Sequence, residues 1–213
     1  MIRKFNDGQS RNLSKIVTGD ETWIYQHDPE TKQQSTVWLF PGEDPPIKFK
    51  RTRSVGKQMV ASFFSMEDHV VTVPLIERRT VNADWYTGVC LPQVFQKWSE
   101  NHSRTGLRGL LLHHDNASAH TAATTLDFLT ENSVQLVSHP PYSPDLAPCD
   151  WFLFPYVKSK LRGTHFPSSE EARIEFERII SDIPSETWRE VFVKWFYRMH
   201  RCIETGGGYF EKA

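Results

Sequence analysis

The chain has 213 residues, 13% of them aromatic, and its 25 basic side chains nearly balance 26 acidic ones; this excludes a disordered chain and fits one sizeable domain with its own core. Three scattered cysteines, Cys90, Cys149 and Cys202, exclude a disulfide framework or zinc knuckle and point to a reducing, intracellular setting. No apolar run approaches bilayer length and the N-terminus lacks the apolar stretch of a signal peptide, so no membrane partner is expected.

Lys15 to Tyr25 (KIVTGDETWIY) is rich in β-branched and aromatic residues and predicts a first strand. Gln34 to Phe40 predicts a short second one, ending at Pro41-Gly42. Gln58 to Ser65 and His69 to Ile76 predict two more, joined by the polar turn Met66-Glu67-Asp68. The pattern then becomes helical. Asn82 reads as an N-cap, and Trp85, Val89, Phe95 and Trp98 fall near helical spacing, with Pro92 imposing a kink or a break. Leu110-Leu111-Leu112 is apolar without alternation, as in a strand covered on both faces. A helix from Ala119 to Leu129 and a strand from Val134 to Val137 follow. A proline-rich turn, Pro140 to Pro148, leads to a helix starting at Asp150. Ser168 and Glu171 have capping-box spacing. Beyond them, Ala172, Phe176, Ile179, Ile180 and Ile183 form one apolar face, and Trp188, Val191, Phe192, Trp195, Phe196, Met199 and Ile203 another, closed by Gly206-Gly207-Gly208. These stripes read as core. The order of elements suits a mixed sheet flanked by helices.

The near-neutral balance hides an uneven distribution. Residues 1–60 carry a net +3, residues 61–150 a net −5 and residues 151–213 a net +1. Lys48, Lys50, Arg51, Arg53 and Lys57 cluster with no acidic residue among them. Such a cluster can neutralise phosphates, although alone it equally describes a solvated loop.

Three aspartates stand at the ends of elements. Asp20 interrupts an apolar strand, Asp115 ends the most apolar one, and Asp150 sits where a helix begins. Each has a local explanation: a turn or bulge, a cap, an N-cap. Together they have another, because carboxylates from separate elements can converge on hard divalent cations, and two such ions can hold a phosphodiester for in-line attack. His113, His114 and His120 invite a zinc reading, but no further ligand has matching spacing.

Val17-Thr18-Gly19-Asp20-Glu21-Thr22-Trp23, His114-Asp115-Asn116-Ala117 with His120, and Pro141-Tyr142-Ser143-Pro144-Asp145-Leu146-Ala147-Pro148-Cys149-Asp150 resemble the signature blocks of the mariner transposase family. Thirty-four residues separate Asp115 from Asp150, the spacing of that family's aspartate triad. The resemblance runs from about Ile16 to Gly208-Tyr209-Phe210, departing at Ser118-Ala119, where the family often has Arg-Pro.

The resemblance implies an α/β, RNase H-like fold of the retroviral integrase type over residues 15–213, with residues 1–14 as residual linker. It implies Asp20, Asp115 and Asp150 as catalytic and metal-binding residues of a two-metal Mg²⁺ or Mn²⁺ site. The reaction implied is hydrolysis at transposon ends, then strand transfer. Residues 41–57 resemble the family's protruding loop, which implies that Lys48, Lys50, Arg51, Arg53 and Lys57 contact DNA. His114 and Asn116 are expected as supporting residues, His114 positioning the neighbouring carboxylate or packing in its strand, and Glu21 as a strand-face residue that can assist. DNA and a homodimer are the expected partners, and the nucleus the expected location. Full members carry two helix-turn-helix units upstream. None precedes Ile16, so sequence-specific end binding by this chain is expected to be weak. The alternatives are an inactive or host-adopted remnant that binds DNA or protein, and an unrelated RNase H-like nuclease.

Overall fold

The computed structural model describes residues 1–31, 34, 36, 39–40, 42–44, 53–54, 56–75 and 80–208. They build a five-stranded mixed sheet in the order β3-β2-β1-β4-β5. The strands are β1 (Ile16–Tyr25), β2 (Lys57–Phe64), β3 (His69–Pro74), β4 (Leu111–His113) and β5 (Gln135–Val137). β1, β2 and β3 form an antiparallel meander, while β4 and β5 run parallel to β1. Parallel neighbours need crossovers, and helices supply them. α1 (Ala83–Trp85) and α2 (Leu91–Asn101) precede β4, and α3 (Ser118–Thr121) and α4 (Ala123–Glu131) precede β5. α5 (Phe154–Leu161), α6 (Ser169–Ser181) and α7 (Ser185–Glu204) follow. This is the expected RNase H-like arrangement. Among the described residues, no helix is long and apolar enough to cross a membrane.

Strand alternation divides the core in two. Ile16, Ile24, Val60 and Phe64 face Phe176, Trp188, Phe192 and Trp195 on one side of the sheet. Val17, Ala61, Phe63 and Leu112 face Trp85, Leu91, Val94 and Leu129 on the other. Phe5 is buried in the first core, so the segment before β1 is packed onto the domain. Gly19 pairs across the sheet with Phe63, and a Cβ there would lie 2.1 Å from the Phe63 ring. The ring therefore rests on bare backbone, one residue before Asp20.

Several expectations are corrected. The strand foreseen over residues 34–40 is not formed by its described residues, and residues 35, 37 and 38 lie outside them. The helix foreseen over residues 119–129 breaks at Ala122, whose ψ of 143° is extended and separates α3 from α4. Ile203 is 67% exposed, because α7 outruns the core at its last turn. Pro92 does not end the helical stretch, which continues through a π-helical turn from α1 into α2. The preceding turn, Tyr86–Cys90, widens into a π-helix in which the Leu91 N–H donates to the Tyr86 carbonyl. Pro155 repeats the arrangement after a second π-helical turn, Cys149–Leu153, where the Phe154 N–H donates to the Cys149 carbonyl. A proline lacks the N–H for an α-helical bond and its ring crowds the carbonyl four residues back; a wider preceding turn relieves both.

Candidate active site

The parallel ladder places the first two aspartates side by side. Thr18 pairs with His113, the last residue of β4. Two residues beyond each lie Asp20 and Asp115. There β1 continues, paired with β2, whereas the ladder to β4 has ended. The C-terminal end of a parallel strand is where open α/β sheets place their ligands. Asp150 arrives from the π-helical turn, its N–H donating to the Ala147 carbonyl at 2.9 Å.

The three carboxyls lie near enough to act on one another's charge. Burial, then repulsion from Asp150 and Glu21, pushes the Asp20 carboxyl up to about 8, although the Glu21 N–H donates to its Oδ1 at 2.7 Å. Burial and Asp115 push Asp150 up to about 6, partly offset by Lys158 and a hydrogen bond with Asp20. That pair shares a proton, and the upward direction follows from two like charges held out of water. Asp115 goes the other way, to about 2, chiefly through its bond to His120.

His120, 1% exposed, lies between two acids. Its Nδ1 is 2.7 Å from Asp115 Oδ1 and its Nε2 3.3 Å from Glu21 Oε1. Burial opposes a charge on the ring, but the bonds to Asp115 and Glu21 outweigh it and raise its pKa to about 10. His114 does not touch the carboxylate. Its Nδ1 meets the Tyr86 hydroxyl at 2.9 Å, and its ring stacks on His120 at 4.5 Å and 4°. Adjacent residues of an extended chain point to opposite sides, and His114, 6% exposed, packs against Tyr86 and His120, the second of the two expected roles. His120, not foreseen in this role, could have been found as the other histidine of the Asp115 block. Asn116 donates from Nδ2 to the His139 carbonyl at 2.9 Å, securing the loop after β4. His113 has its own partners, Thr18 Oγ1 at 2.8 Å and His139 Nδ1 at 3.1 Å.

Carboxylates held together against their own repulsion form the donor set of a hard divalent cation. Asp20 and Asp150 fit one, since a cation would replace the proton they share. Among the described residues, no group of three or more His, Cys, Asp or Glu side chains is placed to hold a metal ion. Asp115 Oδ1 is occupied by His120 and by the Ala117 N–H at 2.9 Å, while neither of these bonds involves Oδ2.

Lys48, Lys50 and Arg51 lie outside the described residues. Arg53 is paired with Asp28 at 2.9 Å and lies 4.4 Å from the Tyr25 ring centroid. Lys57 sits 4.0 Å from the Trp23 ring centroid, at the edge of a groove of about 960 Å³ that also borders Glu21 and Ala117. Lys158, missed by sequence reasoning, is nearer the carboxylates. Its Nζ donates to Thr22 Oγ1 at 2.5 Å, and burial and Arg53 lower its pKa.

Residues 15–173 match the family model described as DDE superfamily endonuclease. The chain is 29% identical over 202 residues to the mariner Mos1 transposase of Drosophila mauritiana, covering 93% of this chain and 57% of that protein. It is 28% identical over 204 residues to the histone-lysine N-methyltransferase SETMAR of Homo sapiens, covering 93% of this chain and 29% of that protein. The crystal structure of the Mos1 mariner paired end complex with Mn superimposes with a TM-score of 0.85 at 27% identity, over 98% of this chain and 61% of that one. The chain thus spans 29% and 57% of the length of these two curated relatives and 61% of the Mos1 chain in that complex. With its sheet order, its converging aspartates and these matches, the chain belongs to the DDE superfamily endonucleases, as a catalytic domain of the mariner transposase type.

Proposed function

We propose that this chain cuts and joins DNA as a divalent-metal-dependent transposase domain, with Asp20, Asp115 and Asp150 as its catalytic residues. The observation that carries this reading is the placement of three carboxyls, from β1, the end of β4 and the π turn before α5, near enough to act on one another's charge. These residues would hold Mg²⁺ or Mn²⁺ in a two-metal site. When bound, such ions activate the attacking oxygen and stabilise the leaving one, first in hydrolysis and then in strand transfer.

The chain's own residues prepare that chemistry. Asp20 and Asp150 give up their shared proton to become ligands. Asp115 is held by its Oδ1 and presents Oδ2. Lys158, near Asp150, is placed to meet a phosphate of the strand being cut. Lys57 and the cluster Lys48, Lys50, Arg51 and Arg53 supply further phosphate contacts. DNA at transposon ends and at the target is the substrate, a second copy of the chain the partner, and the nucleus the location. Residues 15–213 form the catalytic unit, with residues 1–14 joined to it through Phe5.

A plasmid assay tests this. Supercoiled DNA is incubated with Mn²⁺ or Mg²⁺ and either the wild type or Asp115→Ala. Metal-dependent nicking by the wild type, lost in the variant, is expected. Equal nicking by both, or none by either, rejects the proposal, the latter in favour of a non-catalytic remnant.

A further inference from the structure

We propose that His120 is a positioning residue, which orients Asp115 as a metal ligand through its Nδ1 and is itself aimed by Glu21 and an aromatic clamp. The proposal rests on the metal-site reading above and adds to it a residue that would touch neither metal nor DNA.

The geometry is that of an orienting side chain. His120 lies on α3, a helix of four residues, Ser118–Thr121, that follows Asp115 directly. A helix so short gains little from its own hydrogen bonds, so its placement depends on what its side chains grip. His120 grips on three sides. Glu21 accepts at Nε2, the His114 ring lies parallel at 4.5 Å, and the Tyr86 ring lies with its centroid 4.4 Å away. Tyr86 and His114 are in turn joined by a hydrogen bond of 2.9 Å. What remains is Nδ1, aimed at Asp115 Oδ1 at 2.7 Å.

The second anchor of Asp115, the Ala117 N–H, meets the same oxygen. Two donors on Oδ1 fix the plane of the carboxylate and leave Oδ2 as the oxygen turned to the site. This is the role of outer-shell groups around metals: they fix the orientation of a ligand. Glu21, beside Asp20 in sequence but on the opposite face of β1, thereby acts on the site through the histidine rather than as a ligand.

The test uses the full chain and measures Mn²⁺ binding directly, by titration followed by electron paramagnetic resonance of free Mn²⁺, with melting temperature recorded in parallel. His120→Asn keeps a donor where Nδ1 stood but loses the reach to Glu21. His120→Gln keeps a donor near Nε2 but loses Asp115. His120→Ala loses both. Expected is a loss of Mn²⁺ affinity of about 10–100-fold in His120→Ala and His120→Gln, with His120→Asn recovering most of it. A packing role alone would lower the melting temperature without separating Asn from Gln, so equal Mn²⁺ affinity in those two variants overturns the proposal. Asp115→Ala is the control. If it leaves wild-type Mn²⁺ affinity unchanged, the metal-site reading falls and the proposal with it; if it weakens binding while Asn and Gln stay equal, only the role of His120 falls.

Discussion

Asp20→Asn should stabilise the metal-free domain while abolishing its function. Asp20 keeps a proton in the folded state that it releases in the unfolded one, because burial and Asp150 lift its pKa from 3.8 to about 8. Between those two values the folded state binds more protons than the unfolded, so stability falls as pH rises through the window and levels off above 8. Carried in full, the shift is worth ~6 kcal/mol at about 1.36 kcal/mol per pH unit. Sharing the proton with Asp150, and partial contact with water, reduce this to roughly 2–3 kcal/mol. An asparagine avoids that cost, and its side-chain oxygen can still accept from the Glu21 N–H. At pH 7.5 without metal, Asp20→Asn should therefore melt about 5–10 °C higher, taking roughly 2–4 °C per kcal/mol for a domain of this size. Differential scanning calorimetry across pH 4 to 8, with and without Mn²⁺, measures it. The wild type should lose stability as pH rises and regain about 2.7 kcal/mol at a Mn²⁺ concentration 100 times its Kd. The variant should show a flatter pH profile and little response to metal. An unchanged or lower melting temperature in Asp20→Asn would refute the claim that the site stores repulsion.

Further outcomes follow from the same structure. Gly19→Ala drives a methyl group into the Phe63 ring and should cost at least about 1–3 kcal/mol in chemical denaturation, with Phe63→Leu in the double variant recovering part of it. Pro155→Ala removes the reason for the π turn at Cys149–Leu153; nicking activity should fall while the melting temperature holds or rises, and equal activity would count against the placement of Asp150 by that turn. Lys57→Ala should weaken binding of any duplex alike and lower the slope of log affinity against log salt by about 1, measured by fluorescence anisotropy at several salt concentrations.

Much of this was legible in the sequence where one physical period dominates. The strand around Asp20 is rich in β-branched and aromatic residues, the run before Asp115 is uniformly apolar, and α6 and α7 carry apolar residues at helical spacing. Ser168 caps α6 as its spacing predicts, accepting from the Glu171 N–H. What escaped was set by tertiary contact. Nothing local distinguishes Ala122 from its neighbours, yet the break there frees His120 to turn toward Asp115. The π turns leave no periodic trace; only the prolines two residues beyond them hint at where a helix must widen. The contrast between His114 and His120 was readable in principle, since an extended backbone cannot point adjacent side chains the same way. The triad itself is legible as spacing, but its frustration is not, because repulsion depends on burial that only the fold creates.

The two widened turns also bear on how such a site can be lost. Each holds one residue more than the α-helical path it replaces, and one residue is about 100° of rotation. Deleting a single codon within residues 151–153 would let the helix run smoothly and keep α5 in its packing. It would also rotate Asp150 away from Asp20 by more than a quarter turn. The same deletion within residues 87–90 would swing Tyr86 out from under His120. Both acids and aromatics would still be present by type, and the core would be intact, yet the site would be out of phase. Copies of this domain can therefore fall silent through a change of helical phase that leaves every signature residue in place.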